Sequence, residues 1–199
     1  MKHRHIEVKV PHSVLMSVES PGRYVGGEKN QIINQNVLQE LRETGYSKAV
    51  RTAFCFPDIY EIGMSNLALQ ILYKCLNDSD DCYCERVFSP WLDMDKIMRE
   101  KNYELFSLET KSPLKDFDIV AFTLGYEMCY TNVLNMLDLG GVEVKSKDRK
   151  EGTPFVICGG PCAYNPEPLA DFVDLFIMGE GEEVNLELVD LYIKWKEQN

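Results

Sequence analysis

The chain has 199 residues, 45% of them hydrophobic and 11% aromatic, with 32 acidic against 21 basic side chains and a formal net charge of -11. That length suits one α/β domain with an extension, or two small domains, around a sizeable core. The acidic balance argues against direct binding to nucleic acid or an anionic membrane surface, because phosphate contacts need clustered Lys and Arg.

The opening MKHRHIEVKV is charged and no apolar h-region follows it, so no secretory signal is expected. No apolar run reaches the length of a membrane span. Seven cysteines, an odd number, lie mostly inside apolar stretches. That suits a reducing cytoplasm better than a disulfide framework. Residues 1–48 hold all three histidines and the turn-rich stretch SPGRYVGGEKN, with a short helix expected over 32–41. They read as an N-terminal extension packed on a main domain at 49–199. His3 and His5 could touch a metal, but terminal histidines are usually solvated.

From residue 49 onward, strand and helix patterns alternate. AVRTAFCF at 49–56 reads as a first strand, and EIGMSNLALQILYKCL at 61–76 as one well-buried helix. CYCERVF at 82–88 reads as a second strand, followed by a helix over 93–102 with Asp93 as N-cap. ELFSLET at 104–110 suggests a short edge strand ended by Pro113. DIVAFTL at 118–124 is the third main strand, and the helix over 126–141 puts Tyr126, Tyr130, Val133, Leu134 and Leu137 on one face. PFVICGG at 154–160 and VDLFIMG at 173–179 are the fourth and fifth strands. The helix over 181–198 aligns Val184, Leu188, Leu191, Tyr192 and Trp195 on one stripe. The alternation implies parallel pairing with right-handed crossovers. The expected fold is a flavodoxin-like, doubly wound α/β sheet of about five parallel strands. Such a sheet holds ligands outside the carboxyl ends of its strands.

Those ends are distinctive here. PDIYEIG follows the first strand, Thr123 and Gly125 end the third, GGPCAYNPEP follows the fourth and GEGEE the fifth. Glycine at a strand end lets backbone approach a bulky ligand and permits positive φ, although βα turns need glycine in any case. Their convergence on one edge marks a ligand pocket there. Glu180, Glu182 and Glu183 are either acid/base groups or partners of a helix dipole. Arg23 is either an anion clamp or the anchor of the extension through a salt bridge. Trp91 reads as a core or domain-contact anchor. No P-loop or Ser-His-Asp set is present.

The same ends carry a resemblance. Asp58, Tyr60 and Gly63 fall in frame with the Asp-x-His-x-x-Gly signature of cobalamin-binding domains, with tyrosine in the histidine position. Thr123 stands near the serine of a Ser-x-Leu pair, with Gly125 in place of the leucine. Gly159 and Gly160 match a Gly-Gly pair. Gly179, Glu180 and Gly181 open a GEGE run similar to that of cobalamin-type domains preceding a radical SAM domain. PGRYVGGE, FPDIYEIGMSN, CERVFSPW, FTLGYEM, NMLDL and GGPCAYNPEPLADF, spread from about residue 20 to about 190, resemble one family of radical SAM proteins with a cobalamin-binding-like N-terminal region.

The resemblance implies a domain that places cobalamin over a radical site without a histidine ligand, its pocket lined by Asp58, Tyr60, Gly63, Thr123, Gly125, Gly159, Gly160, Gly179, Glu180 and Gly181. It equally allows a docking module that kept the fold and lost the cofactor. A flavin or nucleotide binder ranks last, since there is no GxGxxG fingerprint. The 4Fe-4S cluster and S-adenosylmethionine would belong to a radical SAM domain expected after residue 199, the implied partner. This chain lacks the Cys-x-x-x-Cys-x-x-Cys motif, because Asn165 stands where a third cysteine would follow Cys158 and Cys162. Cys82 and Cys84 alternate within a strand, so a zinc site is not expected. No catalytic or metal-binding residue is assigned.

Overall fold

The computed structural model describes residues 7–198; His3 and His5 lie outside them. Five strands, β1 (Val50–Phe56), β2 (Cys82–Phe88), β3 (Ile119–Thr123), β4 (Phe155–Gly159) and β5 (Leu175–Phe176), form one sheet in the order β2-β1-β3-β4-β5. Every pairing is parallel. The helices are α1 (His12–Leu15), α2 (Gln35–Thr44), α3 (Tyr60–Ser65), α4 (Leu67–Asn77), α5 (Leu92–Lys101), α6 (Tyr130–Leu139) and α7 (Gly181–Gln198). This is the flavodoxin-like, doubly wound α/β arrangement. None of the described helices is long and apolar enough to cross a membrane.

Strands buried on both faces read as continuous apolar runs, and alternate residues feed two cores. Ala53, Cys55, Val120, Phe122, Val156 and Cys158 face α5 and α6, packing on Met94, Met98, Val133 and Leu137. Phe54, Phe56, Cys84, Ile119, Ala121 and Ile157 face α4 and α7, packing on Leu69, Tyr73, Leu76 and Val189. The segment ahead of the sheet contributes to these layers. Val18 and Tyr24 join the first core, and Val37, Leu38 and Leu41 of α2 pack on Ala49 and Tyr83.

β2 is an edge strand, yet all seven of its residues are buried. Its outward backbone groups are met by side chains and a loop rather than by another strand. Asn77 Nδ2 donates to the Cys84 carbonyl at 3.0 Å, and Asn77 Oδ1 accepts the Cys84 amide at 3.0 Å. Glu109 accepts the Arg86 amide at 2.7 Å, and the Leu108 amide donates to the Arg86 carbonyl at 2.7 Å. An unpaired strand edge is an aggregation risk, and this cover removes it. Two ion pairs lie beneath it: Arg51 with Glu85 at 3.1 Å and Arg86 with Glu109 at 2.7 Å. Ser107 and Thr110 also donate to Glu85.

Several local expectations are corrected. Residues 104–110 are not a strand; the segment makes one antiparallel bridge, Phe106 with Pro113, and turns back through Lys111 at φ 58°. The helix expected over 61–76 is two, because Asn66 leaves the helical conformation and its side chain caps α4 by accepting the Leu69 amide at 2.9 Å. Asp93 is not an N-cap. It sits within the first turn of α5, where its carboxylate accepts the Glu19 amide at 2.7 Å. Tyr126 precedes α6 and is exposed. The fifth strand shrinks to two residues. In α7 the inward residues are Asn185 and Val189, whereas Val184, Leu191 and Trp195 are exposed.

Candidate functional site

A cleft of about 540 Å³ opens at the carboxyl ends of β3, β4 and β5 and runs between the sheet and α4 and α7. That volume falls within the range of about 300–1,000 Å³ usual for ligand pockets. Phe54, Ala121 and Ile157 form its floor, Ala68, Ile71 and Leu72 of α4 one wall, and Asn185 of α7 another. Thr123, Gly159, Gly160, Gly179, Glu180 and Gly181 line it as well. Parallel register explains why they meet: Thr123 and Gly159 are partners across β3 and β4, and Ile157 pairs with Leu175 of β5.

The glycines there are not equivalent. Gly160 has φ +94°, and a Cβ on it would lie 2.9 Å from the Leu124 carbonyl oxygen. The β4 exit crosses closely over the β3 exit, where the Leu124 amide donates to the Gly159 carbonyl at 2.8 Å and the Cys162 amide to the Leu124 carbonyl at 3.1 Å. Only glycine fits that crossing. A Cβ on Gly159 would meet nothing closer than 3.8 Å. Its hydrogen thus keeps the cleft wide without being needed for the turn. Polar side chains are few: the hydroxyls of Thr123 and Tyr164, the carboxylates of Glu180 and Glu182, and the Asn185 amide, which donates to the Gly181 carbonyl at 2.7 Å.

The turn after β1 stands outside this cleft. Asp58 Oδ1 accepts the Ile59 amide at 2.7 Å, and its other carboxylate oxygen accepts the hydroxyl of Tyr126. Tyr60 packs edge-on against Phe88, centroids 5.5 Å apart, in a small pocket with Arg23, Tyr24 and Ser89. Burial and a hydrogen bond with Glu28 push its phenol up to about 12, so it stays protonated at neutral pH. Gly63 serves packing: a Cβ there would lie 2.3 Å from Phe88 Cε1. Gly125 has open space around it. Asp58, Tyr60, Gly63 and Gly125 are therefore not brought to the cleft with the other six.

The other candidates resolve similarly. Arg23 Nε pairs with Glu61 at 2.8 Å and its guanidinium lies 5.5 Å from the Trp91 ring centroid, tying the leading segment to α3 and to the β2 exit. Cys82, Cys84 and Cys158 are buried, and among the described residues no group of three or more His, Cys, Asp or Glu is placed to hold a metal. A second hollow of about 150 Å³ lies at the opposite edge, beside Tyr46, Asp118 and Tyr192. Lys196 is bound there to Asp118 at 3.2 Å and lies 4.8 Å from the Tyr46 ring centroid, which makes it a latch for α7.

The helix walls of the cleft, Ala68, Leu72 and Asn185, were not apparent from sequence. The tether between Asp58 and Tyr126 was not either; its only trace was the proximity of both residues to strand ends.

Over 143 residues the chain is 28% identical to an uncharacterized protein of Methanocaldococcus jannaschii, a match covering 69% of this chain and 26% of that protein. The chain thus spans about a quarter of that relative's length. A family model described as radical SAM proteins, N-terminal, matches residues 68–199, from the first turn of α4 onward and including every residue named above as lining the cleft except Phe54. The chain belongs to this family of radical SAM N-terminal segments.

Proposed function

We propose that this chain is the cofactor-holding N-terminal domain of a radical SAM enzyme, with cobalamin seated at the carboxyl edge of its sheet and no cobalt ligand from position 60. The observation that carries this reading is the cleft of about 540 Å³ that Thr123, Gly159, Gly160 and Gly179 line at the ends of adjacent parallel strands. The lining suits a part of so large a group. The walls are apolar, Gly159 leaves room that a side chain would fill, and Thr123 and Asn185 supply a few polar atoms inside. Tyr60 is protonated and turned toward Phe88, in keeping with cobalt held without a ligand from that turn. Cobalamin carries the organometallic chemistry, while the protein binds and orients it. In this reading the iron-sulfur cluster and S-adenosylmethionine belong to a companion radical SAM domain of the same protein.

Titration of the 199-residue chain with hydroxocobalamin, followed by gel filtration, tests the assignment. Wild type is expected to retain the cofactor through the column. Gly159→Phe, whose ring projects into the cleft, is expected to lose it. Failure of wild type to retain cobalamin rejects the reading.

A second reading is favoured by a specific surface feature. Leu67, Leu92, Met128, Tyr164 and Met178 are all exposed on segments that follow β1, β2, β3, β4 and β5. Large apolar side chains left exposed after successive strands mark an interaction surface. In this version the edge docks the companion radical domain and holds no cofactor of its own. Binding of an isolated companion domain by the Gly159→Phe variant, with no cobalamin retained by wild type, would select it.

A further inference from the structure

The tether between Asp58 and Tyr126 crosses a particular place in the sheet. Asp58 follows β1 and Tyr126 follows β3, two neighbouring strands from which the chain proceeds outward in opposite directions, to β2 on one side and to β4 and β5 on the other. The ends of such a strand pair form the crevice where doubly wound sheets take their ligands. A phenol and a carboxylate 68 positions apart in sequence are thus joined across the switch point.

Three observations distinguish the pair from a buried brace. Tyr126 is 41% exposed, so its ring is presented to whatever covers the edge. The preceding Gly125 carries no side chain, and a Cβ on it would find nothing within 4 Å, so the backbone beside Tyr126 is itself uncovered. The carboxylate is held from both sides, by the Ile59 amide at 2.7 Å and by the Tyr126 hydroxyl, so the phenol is fixed in direction before any ligand arrives. Tyr60 faces Phe88 instead and takes no part in this edge.

Resting on the cobalamin reading above, we propose that Tyr126, oriented by Asp58, is the side chain that contacts the bound cofactor at the β1/β3 switch point, in place of a residue at position 60. Because the hydroxyl donates to Asp58, it offers a neutral oxygen and an aromatic face rather than a phenolate. The adjacent carboxylate raises the Tyr126 phenol to about 12, which keeps it protonated at neutral pH. Asp58 acts through Tyr126 and is a positioning residue.

The test measures binding affinity and the visible spectrum of hydroxocobalamin on the 199-residue chain, for wild type, Tyr126→Phe, Asp58→Ala, the double variant and the control Tyr46→Phe at the opposite edge. Tyr126→Phe and Asp58→Ala are each expected to weaken binding about tenfold. Both should shift the bands of the bound cofactor in the same direction, a change that loss of fold stability alone does not produce. The double variant is expected to be no weaker than either single one, as for two residues acting as a unit. Tyr46→Phe is expected to match wild type. Thermal melts confirm that each variant is folded. If wild type binds and Tyr126→Phe has the same affinity and spectrum, this proposal is overturned while the cobalamin reading stands. Additive losses in the double variant also overturn it. If wild type does not bind, both fall together.

Discussion

Glu109 closes the open edge of β2 by holding one residue twice: its Oε2 accepts the Arg86 backbone amide at 2.7 Å, and its Oε1 accepts the Nε of the same arginine at 2.7 Å. Both side chains are fully buried, and the guanidinium also lies 4.4 Å from the Tyr73 ring centroid, on the face of the sheet that carries the cleft. The pair does for the edge what a sixth strand would do, and it joins the loop at 104–113 to the core.

Removing the charge from one side of that pair strands the other in a low-dielectric interior. Glu109→Gln is expected to destabilise the fold by about 3–5 kcal/mol, because a buried guanidinium loses its counter-charge. The exposed pair Lys74 with Asp78 provides the internal comparison. Lys74→Ala should cost no more than about 1 kcal/mol. Urea midpoints of the two variants check the contrast, and equal shifts would mean that the buried pair contributes no more than a surface one.

Gly63 allows α3 to lie directly on the β2 exit. An alanine Cβ would stand 2.3 and 2.5 Å from two carbons of the Phe88 ring and 3.2 Å from Phe56 Cβ. Phe88 is itself 8% exposed and has Tyr60 against its edge, so it has little room to withdraw. Gly63→Ala is expected to cost about 1–3 kcal/mol through overpacking. Adding Phe88→Leu should recover part of that loss, which a double-mutant cycle on thermal or urea unfolding would read as a favourable coupling.

The parallel sheet was legible because strands buried on both faces leave continuous apolar runs, as in VRTAFCF and CYCERVF. Topology then placed Thr123, Gly159, Gly160 and Gly179 on one edge, since each ends or follows a parallel strand. What the pattern could not supply was the helical side of the cleft. α7 carries apolar residues on more than one face, and the face that meets the sheet centres on Asn185 and Val189 rather than on Leu191 and Trp195. The break at Asn66 was masked by apolar residues on both sides, although an Asn before Leu-Ala-Leu is a capping signal. The segment at 104–110 has strand-like composition, but side chains and a positive-φ turn satisfy its neighbours where a ladder was expected. The partnership of Asp58 with Tyr126 depends on the packing of two chain segments and has no local signature.

Burial sorts the seven cysteines into two classes with different chemistry. Cys55, Cys82, Cys84, Cys129 and Cys158 are buried, whereas Cys75 and Cys162 are half-buried. Desolvation pushes the Cys82 thiol up to about 12 and raises Cys55, Cys84, Cys129 and Cys158 above 9 as well. Thiolate is the reactive form, so the buried five are unreactive near neutral pH. A chromogenic disulfide reagent at pH 8 should therefore modify two thiols in the folded chain and all seven after denaturation. The same shifts set a pH dependence. The folded state binds these protons more tightly than the unfolded state, so their contribution to stability is complete below about pH 9 and is lost as pH rises through the folded values. Urea midpoints are expected to fall between pH 9 and about 12, and Cys82→Ala should make that fall shallower. Rapid modification of more than two thiols in the folded chain would show that at least one of the five buried thiols opens to solvent, and desolvation would then not protect them as a class.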